Sequence, residues 1–450
     1  MPVLLSLILT IAIIIILILK LRANPAVALF IGALFMGISS GLGAVETVNT
    51  ITGGFGGTMA SLGFSVGFGV MMGQMIAATG AVQTVANTLI RIFSKKKSDY
   101  AMGITGFIVS IPVFYDVGYV VLMPLAKTLA KKSDKVIPYF AGALVAGLGI
   151  AHTFIPPTPG PMTGAELMGI DLGVMILWGI IIGLPTFLLT MVVYNKFFLS
   201  NPSFFSEEKD VEIDEEYEKS QKLMEQELIK DEKDLPPFGL ALLPILLPII
   251  LILVGTIATA TVGKEIPEWI SFISNKSIAM LAGLICAILI ALRTMSLKEI
   301  EAETSKSLSA IGTVLFITGT GAALGSVIQA TTVGDELLNM VSTVHLNPIL
   351  FAWLIASLLK IAQGSGTVAM ITTVGLLVPL LPGLDVNPVF LALAAFSGTL
   401  CGAHVNDSAF WITAKMTNLN MSGGFKVYTI PCFLESIFSL VFILILSFIF

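Results

Sequence analysis

Ser110-Ile111-Pro112-Val113-Phe114-Tyr115-Asp116-Val117-Gly118 lies in the middle of a long apolar run, Ala101 to Leu125. A carboxylate in such a run costs about 2.5–3.5 kcal/mol on membrane-insertion scales. Pro112 removes a backbone donor and breaks a helix just ahead of the Asp. Gly118 allows backbone or ligand to come close just behind it. A broken apolar segment with a carboxylate at the break is the way transporters build a midplane binding site. The competing reading is a kinked helix whose Asp pairs with a buried Lys or amide.

The 450 residues are 56% hydrophobic and only 12% charged, with a mean hydropathy of +0.95. That composition predicts an all-α polytopic membrane protein in a lipid bilayer and excludes a soluble globular enzyme. The net charge of −5 comes from one acidic loop, and no basic stripe suggests nucleic acid. Cys286, Cys401 and Cys432 lie in apolar runs without CxxC spacing, so they read as small core residues and not as a metal site or disulfide framework. No cofactor is expected. Leu4–Leu19 has no basic residue before it and is followed by Lys20 and Arg22, which predicts a retained first span and not a signal peptide.

Apolar segments fall near 3–19, 26–43, 55–79, 101–126, 137–155 and 172–195, and again near 239–261, 278–292, 308–330, 348–381, 387–403 and 427–449. Between them lies an acidic stretch with 13 Asp or Glu and 5 Lys over 200–236, expected to be a solvated connector without chemistry. Six segments, a linker and six more suggest duplication. Gly73-Gln-Met-Ile-Ala-Ala-Thr79 resembles Gly325-Ser-Val-Ile-Gln-Ala-Thr331, at 325 − 73 = 252, and Ala151-His152 matches Ala403-His404 at the same offset. The expected organisation is a first repeat over 1–198, an acidic linker over 199–237 and a second repeat over 238–450.

Basic residues mark the cytoplasmic ends of spans. Lys20 and Arg22, then Arg91, Lys95, Lys96 and Lys97, then Lys127, Lys131, Lys132 and Lys135, all fall inside on this rule. The 101–126 segment therefore enters and leaves on one side, as a hairpin with Asp116 near its tip. Five net crossings then invert the second half, and 348–381 becomes a hairpin entering from the opposite face. Both termini are expected outside and the linker inside. Lys264 and Lys276 break the rule, beside Glu265 and Glu268. Inverted-topology repeats, each of about five spans plus a hairpin with an unwound tip, describe a secondary transporter.

The second hairpin contains Lys360-Ile361-Ala362-Gln363-Gly364-Ser365-Gly366-Thr367. Gly-Ser-Gly in an apolar run predicts an unwound tip whose half-helix N-terminus favours an anion; a Gly-rich packing face is the bland alternative. After each hairpin comes a helix that ends in a polar break. One is His152-Thr153-Phe154-Ile155-Pro156-Pro157-Thr158-Pro159-Gly160-Pro161, where four prolines in six residues stop the helix. The other is His404-Val405-Asn406-Asp407-Ser408-Ala409-Phe410-Trp411. Buried polar groups of this kind need partners or water, and His and carboxylates are natural proton carriers. His345 falls in a loop and is given no role. The substrate-binding candidates are thus Tyr115, Asp116, Thr158, Lys360, Gly364, Ser365, Gly366, Thr367, Asn406, Asp407 and Ser408. The proton-coupling candidates are Asp116, Asp407, His152 and His404. Asp116 is expected to be the most deeply placed carboxylate.

The motifs Ser110–Gly118, His152–Pro161 with Met162, and His404–Trp411 resemble those of the gluconate permease family of bacterial proton symporters, over essentially the whole chain. The resemblance implies proton-coupled uptake of a sugar acid or related hydroxy acid across the bacterial cytoplasmic membrane. It also covers transporters for D-serine and other aldonates and uronates. The wider superfamily implies an elevator-like motion of a hairpin-bearing domain on a homodimeric scaffold. Sodium coupling is an alternative of the same class. An intramembrane aspartyl protease would need a second carboxylate motif, and Val333-Gly334-Asp335 falls in a loop. A passive channel does not call for two hairpins.

Overall fold

The computed structural model describes residues 3–93, 97–133, 135–201, 203–212, 229–263, 266–332 and 347–450. Lys95, Lys96, Lys264, Glu265, Val333-Gly334-Asp335, His345 and the middle of the linker lie outside the described residues.

The first half runs α1 Val3–Leu19, α2 Pro25–Ser39, α3 Ala44–Ala78, α4 Ala81–Ile92, α5 Ser98–Val109, α6 Tyr115–Lys132, α7 Ile137–Phe154, α8 Pro159–Leu167 and α9 Leu172–Val193. The second half runs α10 Phe238–Val262, α11 Glu268–Ser274, α12 Lys276–Ala291, α13 Leu297–Gln329, α14 Pro348–Gln363, α15 Gly366–Leu377, α16 Pro388–Gly398, α17 Ser408–Met416 and α18 Ile430–Ser447. Among the described residues the only strand-like pairing is an isolated bridge between Val211 and Leu419. Among the described residues seven helices are long and apolar enough to cross a membrane, or eight if the bent pair α11–α12 is one span. The chain is a multi-pass membrane protein.

Local chemistry explains the boundaries. Asn24 caps α2 by accepting from the Ala26 N–H, with Pro25 at the first helical position. Asn275 caps α12 through the Ser277 N–H. α3 and α13 begin well before their apolar stretches. Their first turns are polar but helix-compatible, and α13 opens on a Ser296–Glu299 capping box. Apolarity alone therefore placed both starts too late. At 35 and 33 residues they are about 50 Å long against a hydrocarbon core of about 30 Å, so they must tilt. α4, α8 and α17 are helices that the apolar pattern did not show. α8 restarts the chain after the proline break because Pro159 is tolerated at the first helical position.

Starts recur about 250 residues apart: Pro25 with Lys276, Ala44 with Leu297, Ser98 with Pro348, Tyr115 with Gly366, Ile137 with Pro388, Pro159 with Ser408 and Leu172 with Met421. The packing is reciprocal as well. α2 lies on α13 and α12 on α3, α5 on α7 and α14 on α16, α6 on α17 and α15 on α8, while α3 and α13 pack against each other. At the α5–α7 crossing any side chain on Gly147 would strike the Gly103 carbonyl, and at the α14–α16 crossing one on Gly398 would strike the Trp353 carbonyl. Small residues at these crossings let the backbones approach, as apolar helices in lipid require.

Candidate functional site

The second break is short. α14 ends at Gln363, Gly364 takes φ +81°, and Ser365 caps α15 by accepting from the Val368 N–H at 3.4 Å. A side chain at Gly364 would meet both this left-handed conformation and the Asn406 carbonyl. One turn earlier Lys360 is 3% exposed, the only buried Lys or Arg among the described residues. Its ammonium donates to the Gly364 carbonyl and to the Asp407 carboxylate, each at 2.5 Å. Asp407, 8% exposed, caps α17 by accepting from the Ala409 N–H at 3.0 Å and also accepts from the Tyr428 hydroxyl at 2.7 Å.

The first break spans Ser110–Phe114, where Pro112 cannot continue α5 and its carbonyl packs against Gly73. α6 opens on Tyr115 and Asp116. The Tyr115 hydroxyl shares a 2.9 Å hydrogen bond with Thr413 on α17, which ties the first break to the second half of the chain.

A cavity of about 380 Å³ sits where these parts meet. Four helix N-termini open on it through residues of their first turns: Tyr115 and Asp116 of α6, Gly160 and Pro161 of α8, Gly366 and Thr367 of α15, and Ser408 and Ala409 of α17, although Pro159 and Pro161 of α8 carry no N–H and the Ala409 N–H is already given to Asp407. The first N–H groups of a helix have no intrahelical acceptor, and each N-terminus favours an anion by about 0.3–1 kcal/mol. Lys360 adds a full positive charge to the same wall. The volume suits a small organic ligand.

Asp116 also lines a second cavity of about 510 Å³, with Gln74, Val117, Val121, Lys230, Glu303 and Lys306. Gln74 donates to Glu303 at 2.9 Å, and Glu303 pairs with Lys306. Lys230 arrives from the linker, held by two 3.0 Å hydrogen bonds between its backbone and the Gln83 side chain. Burial lowers the Lys230 ammonium below its usual range, and Asp234, Glu299 and Glu303 oppose that.

Of the residues singled out in the sequence, Tyr115, Asp116, Lys360, Gly364, Ser365, Gly366, Thr367, Asn406, Asp407 and Ser408 all line the first cavity, as does His152. The Asn406 amide is already engaged, donating to the Ile361 carbonyl at 2.7 Å. Thr158 stands apart: its hydroxyl donates to the His152 and Ile155 carbonyls of its own loop, and it borders only a crevice of about 10 Å³. His404 is not among the lining residues. The expectation that Asp116 is the most deeply placed carboxylate is corrected. Its side chain is exposed to the cavities, whereas Asp407 is buried and paired, because the middle of an apolar run in sequence is here the wall of a polar space.

Three residues escaped the sequence reading. Gln363 lines the cavity with an amide nitrogen that is buried and without a partner; its place just before Gly-Ser-Gly was the available signal. Tyr428 reaches Asp407 from a segment with no polar pattern. Glu435 is fully buried on α18 with neither carboxylate oxygen bonded; its place inside the apolar 427–449 segment was the available signal.

A model of the GntP family permeases matches residues 1–449. The chain is 33% identical to the gluconate permease of Pseudomonas aeruginosa, over 99% of this chain and 97% of that one. It is 32% identical to the D-serine transporter DsdX of Escherichia coli, over 99% and 98%. Its fold is similar to that of Neisseria gonorrhoeae MtrF, with a TM-score of 0.67 at 15% identity, over 91% of this chain and 85% of that one.

Proposed function

The chain belongs to the GntP permease family, and from that premise we propose that it is a proton-coupled symporter for gluconate or a related small hydroxy acid. The observation that carries this reading is the convergence of four helix N-termini and one buried lysine on a single cavity. The substrate carboxylate docks on the Gly366 and Thr367 N–H groups and on Lys360. Its hydroxyls meet Gln363, Ser408 and Asp116.

Coupling follows from charge. Lys360 is the one buried Lys or Arg among the described residues, and it pairs with Asp407. When the substrate carboxylate takes Lys360, Asp407 is left ionised without a cation. A buried charge so stripped is costly, and one proton on Asp407 restores neutrality. Asp116 lines both cavities and passes that proton to the second one. The recurring helix starts and reciprocal packing support two repeats, 1–198 and 238–450, joined by the linker, with the broken pairs α5–α6 and α14–α15 as hairpins entering from opposite faces.

The test is uptake into proteoliposomes in sodium-free buffer under an imposed pH gradient, with gluconate, L-idonate, D-serine and a dicarboxylate as competitors. Accumulation of gluconate without sodium is the expected result. A requirement for sodium would overturn the coupling, and competition by D-serine alone would overturn the substrate class.

A further inference from the structure

Among the described residues of the acidic linker one carboxylate is buried. Asp210 has no exposed surface. Lys426 donates to both of its oxygens, at 2.7 and 2.8 Å, Ser422 donates at 2.8 Å and the Ser206 N–H at 2.9 Å. The backbone around it is joined to the same loop. The Asn420 N–H donates to the Asp210 carbonyl at 3.0 Å and the Glu212 N–H to the Asn418 carbonyl at 2.9 Å. The Asn420 amide donates to the Lys209 carbonyl at 2.7 Å. A side chain on Gly423 would strike the Asp210 carbonyl. A solvated connector needs none of this, and a buried carboxylate that accepts four hydrogen bonds from three donor groups is held in one place.

The loop that Asp210 grips joins the two halves of the buried charge network. α17 is capped by Asp407 at one end and runs into this loop at the other. Beyond the loop, Phe425–Thr429 is a π-helical turn that carries Tyr428, the donor to Asp407. Lys426 is two residues from Tyr428, and its carbonyl accepts from the Tyr194 hydroxyl at 3.0 Å. Wide turns of this type recur at functional sites, and here the turn is pinned from the linker on one side and from α9's extension on the other.

We infer that Asp210 is a positioning residue for the substrate site, with the linker clamping Lys426 so that Tyr428 meets Asp407. The inference rests on the site assignment of the proposed symporter. Asp210 does not line the cavity and acts only through the clamped turn.

A double-mutant cycle tests it: Asp210→Asn, Tyr428→Phe and the double variant, each purified in detergent and measured for gluconate affinity and for Tm. Losing a charge-assisted hydrogen bond predicts about a tenfold weaker affinity for each single variant. The double variant should also be about tenfold weaker, since both substitutions break one chain of contacts. Asp210→Glu should recover part of the affinity. If Asp210→Asn does not fold, Ser422→Ala removes one of the three donors and should show the same non-additivity at smaller size. Additive losses, or a lowered Tm with unchanged affinity, would overturn the positioning role alone. Unchanged affinity in both Tyr428→Phe and Lys360→Met would overturn the site assignment, and this inference with it.

Discussion

Removing one member of the Lys360–Asp407 pair is the sharpest perturbation the structure offers. The two groups are 3% and 8% exposed and 2.5 Å apart. Asp407→Asn leaves the side-chain volume intact, and Asn caps a helix as well as Asp does. What it removes is the charge opposite a buried ammonium. Breaking a buried pair from one side costs about 3–5 kcal/mol, because the remaining charge is uncompensated. Lys360→Met leaves Asp407 with the Tyr428 hydroxyl and the Ala409 N–H, so its loss should fall in the same range. The double variant Lys360→Met/Asp407→Asn leaves no stripped charge and should be far more stable than the summed losses predict. Thermal unfolding of the three purified variants measures this. Counterflow adds the functional side: Asp407→Asn imitates the protonated carboxylate, so exchange of substrate should persist while accumulation under a pH gradient fails. Additive losses in the cycle would refute the pairing, and full accumulation by Asp407→Asn would refute its role in coupling.

Asp116→Asn should abolish pH-driven accumulation while leaving counterflow, because Asp116 borders both cavities; vesicles that still concentrate substrate would remove it from the proton route. Gly364→Ala should lose substrate binding, since the left-handed conformation costs about 1–2 kcal/mol and the Asn406 carbonyl occupies the space; a binding assay with near wild-type affinity would show that the tip tolerates rebuilding. Glu435→Gln should leave Tm unchanged, because a carboxyl with no donor and no cation gains nothing by ionising; a large drop in Tm would mean that Glu435 carries charge. Asp210 is raised by burial but lowered further by Lys426, the Ser206 N–H and Ser422, to a value below the usual carboxylate range. A carboxylate depressed on folding stabilises the fold above its unfolded pKa of about 4 and loses that contribution as pH falls through the folded value. Limited proteolysis should therefore find the Asp210 end of the linker protected down to about pH 4 and already sensitive near neutrality in Asp210→Asn.

The membrane class and the two breaks were legible in the chain itself. Apolar runs of span length have one physical meaning, and proline and glycine interrupt helices by covalent geometry alone. The positions of Asp116, Lys360 and Asp407 followed, because an ionisable group in such a run is conspicuous. Apolarity could not reveal α4, α8 and α17, whose short helices rest on caps and neighbours. It also could not say which carboxylate is buried. Lys360 lies on α14 and Asp407 at the start of α17, and only packing brings them together; Asp116, in a more apolar stretch, ends up facing open space. Tyr428 had no local pattern, since a hydroxyl near a span end usually faces water, whereas Glu435 sits inside the apolar 427–449 run and carries the same signal as Asp116. Asp210 was hidden for the opposite reason. It stands among twelve other acidic residues in the linker, and only the tertiary structure, by closing the Ser422–Lys426 loop over it, shows that this carboxylate is clamped.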